Sequence, residues 1–394
     1  MKKKILIFGG TGLLGTNLVY NLQKKFEIIL NFHNKKFFSK HIKYIKIINT
    51  KNIDIKEIEE KIQTVNPNII INCVANTDLE YCERKPKNTE FPNSILPEIL
   101  SKISFKNNIK FVHFSTDHLY SGDKKFKSEK AKTFTLNKYA KQKLSAEKKI
   151  IKNNKNSLVI RTNFFGHSID EKKSIINLIN SIKKREELKL DDNYFFTPIY
   201  TYLLIDLLKK LITKNSKGIF NLVGDERISK YQFGNLIANI LNIKKPNILK
   251  ESIDHAKLKA KRCKDLSLSN FKIKKILKLK IPSLKDQLIQ FFKNEKEIKK
   301  NFLMRIRYGQ HSINYKDINF VKQILQNGPL TQGQFIRETE AKIANYVGAK
   351  YAVAVSSATA GLHLSYMALS VNENKKIITS PITFLSTSNA ALYC

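Results

Sequence analysis

Tyr139 and Lys143 stand four residues apart in Tyr139-Ala140-Lys141-Gln142-Lys143, so a helix sets a phenol and an ammonium on one face, one turn apart. That pairing suits general-acid chemistry. A free phenol, with a pKa of about 10, is too weak an acid near neutrality, and a neighbouring cation lowers it. Reducing a carbonyl needs such a proton donor, a hydrogen bond that polarises the carbonyl, and a hydride carrier. Thr116, flanked by Ser115 and Asp117, offers a hydroxyl for the second role. For the third, Gly9-Gly10-Thr11-Gly12-Leu13-Leu14-Gly15 is a loop whose backbone N–H groups can hold a pyrophosphate. Lys143 would both steady the phenolate and hydrogen-bond the nicotinamide ribose.

Each residue also has a plainer reading. Tyr-x-x-x-Lys on a helix is commonly a surface pair. Thr116 and Asp117 suit a cap or turn, and Asp54 suits the cap of the helix that follows it. His113 and His118 read as structural, because strand alternation need not point them together.

The elements that must position these groups alternate along the first part of the chain. Apolar runs predict strands at Ile5–Phe8, Ile28–Phe32, Tyr44–Ile48, Ile69–Val74, Phe111–Ser115 and Leu158–Arg161. Amphipathic periodicity predicts helices at Leu13–Lys25, Ile55–Val65, Ile95–Phe105 and Lys138–Ile151. The fold class is therefore α/β, a Rossmann-like doubly wound parallel sheet, over residues 1–160. In such sheets ligands bind outside the C-terminal strand ends, where Gly9 to Gly15, Val74 to Thr77 and Ser115 to Asp117 all fall. A smaller, mixed α/β substrate lobe follows over 161–295, with helices at Ser174–Lys184, Tyr202–Thr213 and Lys230–Asn242 and a strand at Gly218–Val223.

Composition narrows the class. The 394 residues carry a net charge of +38, from 71 Lys+Arg against 33 Asp+Glu. A surface this basic invites nucleic acid. The lysines, however, are spread along the chain on the polar side of apolar periodicity and accompany many Ile and Asn and no Trp. We read a general compositional bias, no nucleic-acid partner, and a surface able to attract an anionic substrate. Cys73, Cys82, Cys263 and Cys394 lack zinc spacing, so no metal is expected and the thiols read as reduced and cytoplasmic. The apolar run after the lysine-rich start ends in glycines at Phe8, too short for a signal peptide, and no run approaches a membrane span.

Taken together, these motifs resemble the extended short-chain dehydrogenase/reductases, closest to the dTDP-4-dehydrorhamnose reductase family, over roughly residues 1–295. The resemblance rests on Gly9–Gly15, Asp54-Ile55, the run Pro67 to Thr77, Ser115-Thr116-Asp117-His118-Leu119-Tyr120-Ser121-Gly122, Tyr139 with Lys143, Arg161-Thr162, and Gly218 to Gly224. It implies catalytic Thr116, Tyr139 and Lys143, Asp117 and Phe164 near a sugar-nucleotide substrate, and Asp54, Ile55, Val74 and Ala75 around the adenosine and ribose. The sequence departs from the family at Asn76, His118, Phe164, Asn193 and Cys263, where the family usually has an aromatic, Tyr, Trp, Gln and Pro. Most of these positions face the sugar nucleotide. For cofactor choice, Leu30-Asn31-Phe32-His33-Asn34-Lys35-Lys36 lacks the acid that binds a ribose 2′-hydroxyl and brings two lysines, which favours NADPH over NADH. The expected activity is reduction of a 4-keto-6-deoxy sugar nucleotide for surface-polysaccharide synthesis, in a possible homodimer. A non-catalytic regulatory module and an epimerase of the same fold are the alternatives. A dehydratase would carry an acid pair beside Thr116.

After a lysine-rich linker at 296–303 the character of the chain changes. Residues 304–394 predict helices at Tyr315–Gln326 and Gln334–Val347, a turn at Asn327-Gly328-Pro329 and a strand at Tyr351–Val355. This stretch resembles the start of a pyridoxal-phosphate nucleotide-sugar aminotransferase, through Tyr308-Gly309-Gln310, Gly328 to Gly333, Tyr351 to Leu362 and Ser380-Pro381-Ile382-Thr383-Phe384. The resemblance implies a phosphate at the Ala358-Thr359 helix start and Phe384 on the pyridine ring. The chain stops before the Schiff-base lysine, so pyridoxal phosphate is not expected to work here, and the segment reads as an incomplete PLP-transferase-like domain. Met304 reads as a natural start, which suggests two joined reading frames; a genuine fusion whose tail serves dimerisation is the alternative.

Overall fold

Ile5 to Phe8 and Ile69 to Ile71 are apolar at every position, a pattern that only a strand covered on both faces can bury. The computed structural model describes residues 2–31, 43–45, 47, 54–168, 175–252, 258–298, 313, 315–328 and 333–394. Two compact units divide the chain, Met1–Arg305 and Ile306–Cys394.

In the first unit the cofactor half runs β1 (Lys4–Phe8), α1 (Leu13–Leu22), β2 (Glu27–Asn31), β3 (Lys43–Ile45), α2 (Ile55–Val65), β4 (Ile69–Asn72), α3 (Leu79–Arg84) and α4 (Pro86–Glu90). A π-helical turn, Phe91–Ile95, leads into α5 (Leu96–Lys106), then β5 (Lys110–Phe114), α6 (Lys138–Asn153) and β6 (Leu158–Arg161). There follow β7 (Phe164–Phe165), α7 (Ile175–Lys183), β8 (Leu188–Asp191), β9 (Phe195–Phe196), β10 (Ile199–Tyr200), α8 (Thr201–Thr213), β11 (Gly218–Asn221), β12 (Ile228–Ser229), α9 (Lys230–Ile240), β13 (Ile248–Glu251), α10 (Phe271–Leu277) and α11 (Leu284–Ile298).

One parallel sheet of seven strands, ordered β11-β6-β5-β4-β1-β2-β3, organises this unit. Ile5 pairs with Ile28 on one side and Ile69 on the other. Strand alternation divides the core: Ile5 and Ile7 face Leu18 and Leu22 of α1 and Leu204 and Leu208 of α8. Leu6 and Phe8 face Ile58 of α2, Leu100 of α5 and Ile150 of α6. The sheet does not end near residue 160. β11 pairs in register with β6, Gly218 opposite Leu158, because the outer edge of an apolar strand needs a partner. Three two-stranded pairs, β7 with β10, β8 with β13 and β9 with β12, lie outside that sheet, and an aromatic core of Phe165, Phe196, Tyr200, Phe233 and Phe291 joins the lobe.

Strand β4 stops two residues short of the expected Val74. The Asn72 side chain accepts the Val74 N–H at 3.0 Å, turning the chain off the ladder. The second unit contains α12 (Tyr315–Asn327), α13 (Gln334–Val347), α14 (Ala358–Ala368) and α15 (Ser386–Leu392). The strand expected at Tyr351–Val355 is not formed. A strand is held by a neighbouring ladder, and the Ala354 N–H goes instead to Glu340 Oε1 at 2.7 Å, while Tyr351 and Val353 stay exposed. Ser357 caps α14 through the Ala360 N–H at 3.2 Å.

A methyl at Gly15 would overlap the Gly9 carbonyl oxygen and lie 2.6 Å from Gly10 Cα, so the helix packs on the loop after β1 at glycine distance. At Gly12 the nearest atom would be Gly9 O at 3.5 Å, an ordinary contact, with φ at −77°. Gly15→Ala should therefore cost about 1–3 kcal/mol in urea denaturation, and Gly12→Ala less than about 1 kcal/mol.

Candidate active site

Strands β1, β4 and β5 are neighbours, so the segments after them meet at one sheet edge. The loop after β1 rests on the segment after β4: a Cβ at Gly9, whose φ is +80°, would lie 2.9 Å from Cys73 C and Val74 N. Thr11 and Gly12 are exposed, Leu13 is half-buried and Gly15 buried. Leu14 is buried in the core, so its side chain is committed to packing. No side chain caps the start of α1, which leaves its first N–H groups free to meet an anion. Val74 and Ala75 are half-buried at the same edge. Asp54 does what the plainer reading proposed: it caps α2 through the N–H of Lys56, at 2.8 Å, and of Glu57. Ile55 is exposed in a groove between α2 and α5. Lys35 and Lys36 lie outside the described residues.

Around the expected chemistry the side chains converge. Tyr139 is buried on α6, facing Thr116 from the segment after β5 and edge-on to His118, with ring centroids 6.0 Å apart. Burial pushes its phenol above the usual range, and the Thr116 hydroxyl pulls the other way. The Thr116 hydroxyl hydrogen is directed to Asp117 Oδ1 at 3.2 Å. Burial raises the Asp117 carboxyl, with His118 and Asn163 opposing. Asn163 Nδ2 donates to Asp117 Oδ2 at 2.6 Å. Phe164, one residue on, is half-buried and packs against the sheet's core.

Lys143 lies one turn from Tyr139 on the same buried face of α6. Its Nζ donates to Phe114 O at 2.7 Å and meets His113 Nε2 at 3.1 Å. His118, read as structural, lies beside Tyr139 and reaches Tyr194 Oη of the lobe at 3.5 Å.

What fixes α6 is a buried ion pair. Arg161, at the end of β6, donates to Glu147 from Nε at 3.0 Å and Nη2 at 2.6 Å, and its Nη1 donates to Tyr120 Oη at 2.6 Å. Tyr139, Lys143 and Glu147 follow one another at four-residue spacing along the buried face of the helix. That spacing is the sequence signal for Glu147: a carboxylate on a buried face needs a partner. A second tie comes from Gln142, whose Oε1 accepts from Thr89 at 3.1 Å and Asn93 at 2.9 Å. Nothing in the sequence pairs Asn72, His113 or Asn163 with the site. Among the described residues no His, Cys, Asp and Glu group could hold a metal, and no helix is long and apolar enough to cross a membrane.

Residues 2–297 match the RmlD substrate binding domain. The chain belongs to that family. Within it, the chain is 26% identical over 243 residues to dTDP-4-dehydrorhamnose reductase of Salmonella typhimurium, covering 59% of this chain and 76% of that protein. The same fold is found in the dTDP-4-dehydrorhamnose reductase of Bacillus anthracis, solved in complex with NADP, with a TM-score of 0.65 at 24% identity over 75% of this chain and all of that one. Residues 311–394 match the DegT/DnrJ/EryC1/StrS aminotransferase family. There the chain is 40% identical over 87 residues to the UDP-4-amino-4,6-dideoxy-N-acetyl-beta-L-altrosamine transaminase of Campylobacter jejuni, 22% of this chain. It spans only 23% of that relative's length.

Removing one partner of the Arg161–Glu147 pair leaves the other charge buried and bare. Glu147→Ala should cost about 3–5 kcal/mol in urea denaturation, measured by near-UV circular dichroism.

Proposed function

We propose that the chain is an NADPH-dependent reductase that delivers hydride to the 4-keto group of a 6-deoxy sugar nucleotide, in the cytoplasm, for surface-polysaccharide synthesis. The observation that carries the reading is the side-by-side placement of Tyr139 and Thr116 at the sheet edge that the glycine loop also reaches. The loop fits a dinucleotide. Gly9 and Gly15 have no room for a side chain against the protein itself, whereas Gly12 is open and exposed at an uncapped helix start. Gly12, Leu13 and Gly15 would hold the pyrophosphate through their backbone, and Val74 and Ala75 would line the approach. When bound, the nicotinamide supplies the hydride.

The protein's own residues supply the rest. Thr116 orients the keto oxygen, and Tyr139 Oη gives its proton to the alkoxide as charge develops there. Burial keeps that proton on the phenol, and the charge of Lys143, one helical turn away, would draw the phenol back down for transfer. Asp117, steadied by Asn163, is positioned for a sugar hydroxyl. The contact of His118 with Tyr194 brings the lobe against the segment that carries Thr116 and Asp117, where a sugar ring would meet both. The likeness of residues 311–394 to a transaminase named for a UDP-amino sugar makes UDP sugars a substrate class to test beside dTDP sugars.

The test follows NADPH absorbance with dTDP- and UDP-linked 4-keto-6-deoxy sugars. Oxidation is expected with at least one, and Tyr139→Phe should lower kcat by about 10²–10⁴-fold. NADPH binding without oxidation of any keto sugar would instead favour a regulatory module. Gly12→Ala should weaken NADPH binding about tenfold or more, read by fluorescence titration, because its methyl would stand where the pyrophosphate approaches.

A further inference from the structure

Lys143 is 1% exposed and lies within hydrogen-bond distance of His113 Nε2 and Phe114 O. His113, fully buried, meets Asn72 Nδ2 through its Nδ1 at 3.2 Å. The direction of donation along this chain is set at its far end. The Val74 N–H can only donate, and Asn72 Oδ1 receives it at 3.0 Å. Turning the amide over would set two donors face to face, so Nδ2 is the atom that points to His113. Nδ2 can only donate, and His113 Nδ1 must accept. A neutral imidazole then carries its hydrogen on Nε2. Burial holds His113 well below the usual imidazole range, so the ring is neutral. Its Nε2–H faces Lys143 Nζ, and the acceptor available there is the lone pair of an uncharged amine. The amine's own hydrogens serve Phe114 O.

We propose that Asn72 and His113 are positioning residues for Lys143, which at alkaline pH hold its side chain as an amine through an Nε2–H imidazole. Uptake of one proton balances as a relay. Nε2 passes its hydrogen to Nζ, Nδ1 takes the incoming proton, and the imidazole stays neutral while Lys143 becomes an ammonium. Asn72 must then turn its oxygen toward Nδ1 and release Val74. The cation that the phenol of Tyr139 would need is thereby tied to a tautomer change at His113.

The surroundings agree with a lysine held near its switching point. Facing Lys143 are His113 from β5, Cys73 after β4, and Tyr139 and Glu147 one turn to either side on α6, the last paired to Arg161 of β6. Burial pulls the Lys143 ammonium down to about 8, with Glu147 and Cys73 opposing. The inference deepens the reductase reading, since Lys143 matters to turnover only there, but its structural part is measured without turnover.

Selective ¹⁵N-histidine labelling of the full chain, with the His113 signals assigned by their loss in His113→Gln, reads the tautomer at about pH 9, above the Lys143 transition. Nδ1 unprotonated and Nε2 protonated is expected; a protonated Nδ1 overturns the proposal. Asn72→Asp places a pure acceptor against Nδ1 and reverses the tautomer. It should weaken the acid dissociation of Lys143 about tenfold or more, followed through its ¹³Cε resonance, and move the pH profile of kcat the same way. An unchanged or strengthened dissociation in that variant counts against the relay. If no keto sugar is reduced, the reductase reading fails while both resonance measurements still decide the inference.

Discussion

The pair between Glu147 and Arg161 is the constraint on which the site's geometry rests. Two opposite charges, each at most 3% exposed, persist in a protein interior only when paired and hydrogen-bonded, and the bidentate fork with Tyr120 on the remaining nitrogen meets that condition. Glu147 is therefore fixed to the end of β6. Because a helix is rigid over two turns, Lys143 and Tyr139 are fixed with it, one and two turns back. The guanidinium also holds Tyr120, which follows Thr116 and Asp117 in the same loop. One ion pair thus sets both sides of the candidate chemistry, the helix that carries the phenol and the loop that carries the hydroxyl.

Asn72 shows how a single amide can end a strand and address a distant lysine at once. Its oxygen turns the chain at Val74, and its nitrogen fixes the His113 ring. The first role is local and the second falls on the register partner in the neighbouring strand β5, so the end of β4 and the surroundings of Lys143 share one side chain.

Much of this was legible in the sequence, for physical reasons that differ by element. Central parallel strands must be apolar on both faces, so Ile5–Phe8 and Leu158–Arg161 stand out with no help from their partners. The helix bearing Tyr139 and Lys143 is announced by its period, and the structure adds Asn137, which caps it through Ala140. Two-residue strands such as Phe164–Phe165 are too short to show any period. Tyr351–Val355 has a strand's composition, yet composition cannot supply the neighbour that makes a strand. His113 reads as structural in the sequence, and it is buried. Its partner, 30 residues away on another element, leaves no local trace. Asp54 illustrates the reverse, since a cap is visible from residues close in sequence and a cap is what it forms.

The seven-stranded sheet draws its edge strand β11, and the helix α8 that lies with α1 in one core, from sequence beyond residue 160. A boundary drawn by chemistry is therefore not a boundary drawn by folding. A graft that exchanged everything after residue 160 to borrow another relative's substrate preference would also replace part of the cofactor half's own foundation. Modularity in this architecture belongs to the short strand pairs and aromatic core of the lobe, and any transplant has to leave β11 and α8 with the sheet they complete.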